Sequence, residues 1–477
     1  MTRISVLRSP YPVVVIGGGI TGLAAAFRLQ RAGVDVRVFE ADQRAGGMVR
    51  SRRHNGHLFE DGPTTVMSTS EHLGRLIDDA GLRSRVVTSA KIAGRRLVWR
   101  HGRLHALPEK PPHLLTCSAL SLAGRARLLM EPLIPAKKDR RPETLEAFGL
   151  RRLGREATAG LLDPFVSGVF AGSLDRLGVD AFQRLAIWER AHGSLFKAMI
   201  HRRKIARQER EAKGEAPRSG PAPLISLPDG LGELPDTLAK ALGSKLHRGE
   251  RVSSVGRVGA HWRVSVDSAK GEAKNLMASA LIVATPAREA ASLVEPWVGA
   301  QMSHFRDLEQ PHVATVGLGF KRPDIAHSLD AFGLLCAGDS RIPDDVLGVL
   351  FVSSIFPGRA PEGEVSLTTM IGGSRDPLAA RDDDSALLER TRGALATLLG
   401  ARGEPTAQSV VRWPRAIPQY PPGHGDRVEA LQGRLSGLAG LKVAGNWLAG
   451  PGLEAAVGSA DQAVAETLAS EWTATGA

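Results

Sequence analysis

The chain has 477 residues, which is too long for one hydrophobic core and predicts two or three domains. Hydrophobic residues make up 43% of the sequence, enough to form such cores. The formal net charge is +12, but only 5% of the residues are aromatic, which argues against nucleic acid as a partner because single-strand binding relies on aromatic stacking. Two cysteines, Cys117 and Cys336, cannot build a disulfide framework or a metal cluster, so we expect reduced thiols, no metal and a cytoplasmic location.

The first forty residues predict a strand, a glycine turn, a helix and a second strand. Val13–Ile16 is a β-branched run, Leu23–Arg31 contains strong helix formers with an apolar face, and residues 34–40 read as a short strand. Residues 70–200 are mostly helical in pattern. Residues 206–223 are polar and rich in glycine and proline, which predicts an exposed loop.

Strand patterns return in the second half of the chain. They occur at 245–285 and 311–375, and the chain closes with a strand in LKVAG and a helix over residues 453–469. No stretch approaches the roughly 20 apolar residues of a spanning helix, which predicts a protein that is dissolved or bound to a membrane surface. The positive charge fits an anionic membrane face, but it fits a generic arginine-rich composition equally well.

The residues after the first strand match the pattern G-x-G-x-x-G in its required place between a strand and a helix. Gly17 permits the tight turn, Gly19 lets the backbone approach a pyrophosphate, and Gly22 allows close packing of helix and strand. Ile20 and Thr21 open the helix, whose N-terminal N–H groups face the phosphates. Glu40 ends the second strand, where an acid accepts hydrogen bonds from ribose hydroxyls.

Further segments favour FAD over a nicotinamide cofactor. An Arg-x-Gly-Gly run follows the ribose-binding acid, another tight turn follows in EDGPTT, and a glycine-rich segment precedes the last helix, whose N-terminus suits the N1–C2 edge of a flavin. The cofactor residues predicted from these segments are Ala41, Arg44, Gly46, Gly47, Gly62, Pro63, Thr64, Thr65, Gly445, Gly452 and Leu453.

The same segments resemble a known superfamily, that of monoamine oxidases, phytoene desaturases and protoporphyrinogen oxidases. The resemblance rests on VVVIGGGITGLAAAFRL, FEADQRAGGMVRS, FEDGPTT and VAGNWLAGPGLEAAVGSADQA. Within it, DPFVSGVFAGSLDRL, LGVLFVSSIFPGRAPEG, TTMIGGSRD and RWPRAIPQYPPGH are similar to the oxygen-dependent protoporphyrinogen oxidases. The resemblance runs from about residue 11 to residue 469.

The resemblance implies an α/β fold with a discontinuous Rossmann-like FAD domain, a mixed α/β substrate domain and a helical insert that docks on a membrane. The implied boundaries are 10–88, 225–290 and 435–470 for the FAD domain, 96–205 for the helical domain and 291–434 for the substrate domain. It implies oxidation of protoporphyrinogen IX to protoporphyrin IX by three flavin cycles, each with hydride transfer to N5 and reoxidation by O2 to hydrogen peroxide. A peripheral site on the inner face of the cell membrane, with a homodimer and ferrochelatase as candidate partners, is also implied.

Site residues carry over from the family one position at a time. Arg96 matches an arginine for a substrate propionate, which suits a bidentate, permanently charged group, although Arg95, Arg100 and Arg103 surround it. The residues that match the apolar slot and a close backbone approach are Gly168, Phe332, Leu335, Leu350 and Met370, and those near the flavin or adenine are Val252, Ala284 and Trp413. Ordinary strand core is the alternative for the apolar positions. His192 and His424 are expected to be structural.

The chain departs from the family pattern after Leu335, where Cys336 and Ala337 replace residues common elsewhere, and at Ala460, where glycine is common. Three other functions remain open. A coproporphyrinogen III oxidase of the same fold would handle four propionates and lacks an arginine at the position of Arg96. An amine oxidase would carry a flavin-tethering cysteine near the C-terminus, and none occurs there. A flavin-loaded scaffold without activity is the third.

Overall fold

The computed structural model describes residues 3–5, 9–108, 111–114, 116–139, 141–212, 214, 222–268, 271, 273–338, 346–469 and 471–473. The described strands are β1 (Arg3–Ser5), β2 (Val13–Ile16), β3 (Val36–Glu40), β4 (Ser51–His54), β5 (His57–Glu60), β6 (Val66–Met67), β7 (Val87–Thr88), β8 (Leu97–Arg100), β9 (Arg103–Ala106), β10 (Leu224–Ser226), β11 (Leu246–Arg248), β12 (Glu250–Val258), β13 (His261–Ser268), β14 (Ala273–Ala278), β15 (Ala280–Val283), β16 (Val313–Lys321), β17 (Gly333–Cys336), β18 (Val346–Leu350), β19 (Glu364–Gly372), β20 (Ala407–Trp413), β21 (Leu441–Val443) and β22 (Glu471–Thr473).

The α-helices alternate with these strands and with short 3₁₀ turns. They are α1 (Ile20–Arg31), α2 (Glu71–Asp79), α3 (Leu122–Leu129), α4 (Leu145–Arg152), α5 (Arg155–Ala157), α6 (Asp163–Phe170), α7 (Gln183–His192), α8 (Leu195–Ala212), α9 (Glu233–Leu242), α10 (Ala287–Val298), α11 (Ser303–Arg306), α12 (Val352–Ile355), α13 (Asp384–Leu399), α14 (His424–Ser436), α15 (Asn446–Ala449) and α16 (Leu453–Ala469).

A five-stranded parallel sheet, in the order β11-β3-β2-β15-β21, carries the first glycine turn. Its strands come from the beginning, the middle and the end of the chain, as the predicted discontinuous Rossmann-like fold requires. The central strand β2 is fully buried, which explains why its sequence is a continuous β-branched run and not an alternating one. The α/β fold class is therefore confirmed.

Helix α16 packs against α1 beside this sheet through small side chains. Ala24, Ala25 and Ala26 of α1 and Ala460 of α16 are fully buried in one hydrophobic cluster. Alanine at position 460, where related sequences prefer glycine, is therefore accommodated between the two helices.

A seven-stranded mixed sheet, in the order β20-β16-β19-β18-β17-β8-β9, forms the second large layer. Strand β8 pairs in parallel with β17, so that Val98 lies opposite Leu335, and β9 folds back on β8 as a hairpin. Strands β8 and β9 therefore belong to this sheet. The family resemblance had implied that the helical domain starts at residue 96, before these strands. The four residues of β8 are all buried, and a buried strand of this length cannot be distinguished by periodicity from a helix segment.

Helices α3 to α8 lie between residues 122 and 212, where the helical domain was predicted. Helix α8 continues to Ala212, so the predicted loop is wrong for residues 206–212; residue 213 and residues 215–221 lie outside the described residues. The segment ARQEREA consists of strong helix formers, and Arg207 pairs with Glu211 one turn later at 2.7 Å. None of the helices in the described ranges combines the length and apolarity of a membrane span.

Candidate active site

The first glycine turn has the geometry that its sequence predicts. Gly17 has φ of +104°, and a Cβ there would lie 2.8 Å from the carbonyl oxygen of Ala284. A Cβ on Gly22 would lie 1.9 Å from the carbonyl oxygen of Gly17, so helix α1 can start here only with glycine at this position. No atom lies within 4 Å of a Cβ built on Gly19, which leaves room for a ligand at the start of α1.

Glu40 at the end of β3 binds the backbone of this turn. Its Oε2 accepts a hydrogen bond from Gly18 N at 2.6 Å, and its Oε1 accepts one from Asp42 N at 2.8 Å. Each carboxylate oxygen has a second acceptor site, so the capacity to accept a ribose hydroxyl remains. Val252 is buried in β12, the strand that follows the edge strand β11 in the sequence. Strand β11 pairs with β3, which ends at Glu40.

The Arg-x-Gly-Gly segment lies directly against the first turn. Gly46 N donates to Gly18 O at 2.7 Å, and a Cβ on Gly47 would lie 3.3 Å from the Cα atom of Gly19. Both Gly46 and Gly47 have positive φ values, +108° and +58°. Two glycine segments thus converge on one point, as predicted, while the Arg44 guanidinium forms an exposed ion pair with Asp236.

The EDGPTT segment, which follows strand β5, contacts the seven-stranded sheet. The indole Nε1 of Trp413, at the end of β20, donates to Asp61 O at 2.7 Å. The Asp61 carboxylate is buried between Arg50 at 3.1 Å and Arg52 at 2.9 Å; burial raises its pKa, and the arginines oppose that rise. A Cβ on Gly62 would lie 2.2 Å from Met48 O, so the turn that leads into Pro63, Thr64 and Thr65 requires glycine.

The C-terminal glycine segment leads into α16 at the predicted residue, Leu453. Gly445 N donates to Ser459 Oγ at 3.0 Å, and a Cβ on Gly445 would lie 2.6 Å from Trp447 Nε1. A Cβ on Gly452 would meet nothing within 4 Å, so the helix start is open. Open backbone at both Gly19 and Gly452, each at the start of a long helix, fits an extended ligand with negative or electron-rich groups.

Two side chains that the sequence analysis left without a chemical role hold this C-terminal segment. Tyr420 Oη donates to Asn446 O at 2.7 Å, and His424 Nε2 bonds to Trp447 O at 2.9 Å. His304 Nε2 lies 3.1 Å from His424 Nδ1, and burial lowers the pKa of both histidines to about 4. His424 is therefore neutral near pH 7 and positions backbone, which agrees with the structural role expected for it.

Three of the predicted substrate residues, Leu335, Leu350 and Met370, lie on one face of the seven-stranded sheet. Leu335 is opposite Gly348, and Gly348 is opposite Met370, so their side chains share a face; Leu350, two residues beyond Gly348, shares it too. Leu335 and Leu350 are the partly exposed residues of β17 and β18, and Met370 is flanked in β19 by buried residues. Strand core alone would leave them as buried as their neighbours, so this face is incompletely covered.

Helix α6 covers part of this face. A Cβ on Gly168 would lie 2.3 Å from Leu335 Cδ2, so the helix approaches the sheet closely because this residue has no side chain. Ala171, just after α6, belongs to a hydrophobic cluster with Met370, Trp413 and Met48. The cluster therefore connects Met370, a predicted substrate residue, with Met48, which directly follows the second glycine segment.

Arg96 lies at the edge of the same face. It is exposed, and its guanidinium stacks on the Phe332 ring with 5.1 Å between Cζ and the ring centroid. Phe332 and Leu350 pack against one hydrophobic cluster with Ala93, Ile355 and Phe356. Phe332 therefore connects the Arg96 guanidinium with the cluster that contains Leu350, whereas Arg95 forms an ion pair with Asp330.

Comparison with known proteins agrees with this geometry. Residues 20–468 match the model of the flavin-containing amine oxidoreductases. Protoporphyrinogen oxidase 2 of Arabidopsis thaliana is 30% identical over 453 residues, covering 91% of this chain and 89% of that protein. Coproporphyrinogen III oxidase of Bacillus subtilis (strain 168) is 27% identical over 471 residues, covering 96% of this chain and 97% of that protein.

Solved structures show the same fold. A crystal structure from Exiguobacterium sp. 255-15 superposes with a TM-score of 0.79 at 23% identity, over 96% of this chain and 99% of the other. Cyclohexylamine oxidase from Brevibacterium oxydans IH-35A superposes with a TM-score of 0.68 at 17% identity, over 96% and 98%. The glycine turns, the ribose-binding acid and the open start of α16 fit FAD, which is the cofactor. The chain is an FAD-dependent oxidase that belongs to the flavin-containing amine oxidoreductase family.

Proposed function

We propose that the chain oxidises a porphyrinogen, protoporphyrinogen IX, to the porphyrin. The observation that carries this proposal is the partly exposed apolar face of Leu335, Leu350 and Met370 with Arg96 at its edge. A porphyrinogen is a large apolar macrocycle with carboxylates on one side, so it needs an apolar slot and a cation at the slot's rim. The curated relatives named for protoporphyrinogen and coproporphyrinogen III support the same substrate class.

The residues of the slot bind and orient the substrate. Arg96, held over Phe332, binds a propionate, and the apolar side chains exclude water and hold one methylene bridge beside the cofactor. FAD, when bound, supplies the two-electron acceptor, and dioxygen restores it with formation of hydrogen peroxide. Gly168, Leu335, Leu350 and Met370 carry no titratable group, so the protons leave through the ring nitrogens of the substrate.

The test is aerobic porphyrin fluorescence with protoporphyrinogen IX and, separately, coproporphyrinogen III. Faster emission from the first supports the proposal, and faster emission from the second assigns the chain to a substrate with four propionates. Arg96→Ala is expected to raise KM for protoporphyrinogen IX about tenfold or more, because a charge-assisted hydrogen bond is worth about 1.5–3 kcal/mol. Arg103→Ala, an exposed arginine on the adjacent strand β9, is the matched control. No emission from either porphyrinogen by the flavin-loaded protein would refute the proposal.

We also propose that the helical region docks on the inner face of the cell membrane. Ten of the fifteen exposed large hydrophobic side chains described in the structure lie between residues 122 and 205, namely Leu122, Leu129, Met130, Leu133, Leu150, Phe165, Val169, Ile187, Ile200 and Ile205. Helix α8 adds Arg202, Arg203 and Lys204, which suit anionic headgroups. The concentration of exposed apolar and basic side chains in this one region of the chain supports a membrane surface, because exposed apolar residues are ordinarily scattered.

Flotation with phosphatidylglycerol-containing vesicles at low salt tests this docking. We expect the protein to float with these vesicles and to float less with phosphatidylcholine alone. The double variant Leu122→Ser, Leu133→Ser removes two side chains that are 80% and 76% exposed and should reduce flotation without loss of bound FAD. No flotation of the wild-type protein at low salt would exclude a membrane surface as a partner.

A further inference from the structure

One guanidinium joins three of the chain segments that form the substrate slot. Arg375 Nη1 donates to Cys336 O at 2.7 Å, and Arg375 Nη2 donates to Asp163 Oδ2 at 2.7 Å. Asp163 Oδ2 also accepts a hydrogen bond from Gly338 N at 2.9 Å. The three groups come from the loop after β19, the end of β17 and the first residue of α6.

Each of these positions is close in sequence to a residue of the slot. Arg375 lies five residues after Met370, Gly338 lies three residues after Leu335, and Asp163 lies five residues before Gly168. The Arg375–Asp163 pair therefore fixes helix α6 relative to the two strands whose side chains it faces. The close contact of Gly168 with Leu335 depends on this spacing, because the Leu335 side chain packs directly against the helix backbone at Gly168.

The pair is well placed to act as a rigid link. The two side chains are only 17% and 22% exposed, so water screens them weakly compared with a surface pair. Arginine donates here along two directions of its planar fork, which fixes its orientation as well as its distance. At the other end of α6, Ser374 N donates to Ala171 O at 2.7 Å, so the same loop holds both ends of the helix.

We propose that Arg375, through Asp163 and Cys336 O, is a positioning residue that sets how α6 lies on β17 and therefore how much of the apolar face remains open to the macrocycle. Arg375 contacts neither the substrate nor the reacting atoms in this role. The inference deepens the proposed porphyrinogen oxidation and rests on it. It predicts an effect on substrate binding that is separate from cofactor binding, because the FAD residues lie on other segments.

The experiment measures FAD content, KM for protoporphyrinogen IX, kcat, and the Kd of protoporphyrin IX by fluorescence titration. Arg375→Ala is expected to raise KM and Kd roughly tenfold while FAD content stays at the wild-type value, because misplacement by about 1 Å weakens every slot contact. Arg375→Lys should give an intermediate KM, since an ammonium keeps the charge near Asp163 but cannot reproduce the fork to Cys336 O. Arg392→Ala on α13, which removes an exposed ion pair with Glu404, is the control and should leave KM unchanged.

Asp163→Asn tests the other half of the link. Asparagine keeps an acceptor for Gly338 N but loses the charge, so KM should rise, and the double variant with Arg375→Ala should be no worse than the worse single variant. Unchanged KM and Kd in a flavin-loaded Arg375→Ala protein would overturn the inference. Should that variant fail to hold FAD, unchanged KM in both Arg375→Lys and Asp163→Asn would overturn it equally. A wild-type protein that oxidises no porphyrinogen would instead refute the proposed function, and this inference with it.

Discussion

Glu60 offers a quantitative test of how the cofactor region is built. It ends β5 and is 3% exposed; Ser51 Oγ donates to its Oε2 at 2.5 Å, and Leu231 N donates to its Oε1 at 3.0 Å. Burial raises its pKa from 4.5 to about 7, although these two hydrogen bonds and the charge of Arg359 oppose the rise. Burial therefore dominates, and the folded protein holds a proton on Glu60 that the unfolded chain releases.

The sign of the pH dependence follows from this difference. A raised pKa in the folded state stabilises the fold fully below pH 4.5, and that stabilisation is lost as the pH rises to about 7. A difference of about 2.5 pKa units corresponds to about 3 kcal/mol at roughly 1.4 kcal/mol per unit. Glu60→Gln removes the ionisable group and keeps its shape, so the variant should match the wild type below pH 4.5 and exceed its stability by up to about 3 kcal/mol above pH 7.

The effect is measured by heating the holoenzyme at several pH values between 5 and 8.5 and recording the rise in flavin fluorescence as unfolding releases FAD. The difference in melting temperature between Glu60→Gln and wild type should grow with pH across the window from 4.5 to 7. Glu404→Gln, at an exposed carboxylate, is the control and should show no such trend. A difference of the same size at every pH would refute the reasoning, because it would reflect packing or hydrogen bonding and not the buried proton.

Three further substitutions test the two halves of the site. Gly22→Ala places a Cβ 1.9 Å from a backbone carbonyl oxygen of the same turn, so FAD affinity should fall at least about tenfold, measured by FAD titration of the apoprotein. Trp413→Phe removes the 2.7 Å hydrogen bond to Asp61 O and should lower stability by about 1 kcal/mol in thermal unfolding, with retention of FAD. Gly168→Ala places a Cβ 2.3 Å from a flexible tip of Leu335 and should raise KM severalfold at unchanged FAD content; unchanged KM would separate this helix from the slot.

Much of the cofactor half could be predicted from the sequence because its signals are local. The turn at Gly17–Gly22 and helix α16 at Leu453–Ala469 each depend on a few adjacent residues whose backbone demands are specific. The slot residues could be named only through family resemblance, since a partly exposed strand leucine has the same sequence signature as a core leucine. Their shared face follows from strand register, which depends on pairing between β17, β18 and β19.

Two features could not be read from local pattern, for different physical reasons. Strands β8 and β9 join the large sheet by parallel pairing of β8 with β17, whose residues lie more than 230 positions away, and no local propensity encodes such a partner. Helix α8 runs through residues 206–212 because these residues themselves favour helix, whereas the expectation of a loop weighted the glycines and prolines that follow. The average composition of residues 206–223 therefore did not reveal that helix α8 extends to Ala212.

The cofactor segments and the proposed substrate face depend on different properties of their residues. This difference explains why the family motifs identify the cofactor more specifically than the substrate. The segments at the parallel sheet depend on glycine backbone, where an added side chain would clash with neighbouring backbone atoms. Few sequences are therefore compatible with this part of the fold. The face of the seven-stranded sheet binds through side-chain volume, where many apolar residues serve, so its specificity depends on spacing between elements. The hydrophobic cluster of Met48, Ala171, Met370 and Trp413 connects the seven-stranded sheet with the residue that follows the second glycine segment. Under the proposed function, we expect preference between porphyrinogens to depend on charges at the rim, such as Arg96, and on links that set the spacing, such as Arg375 with Asp163.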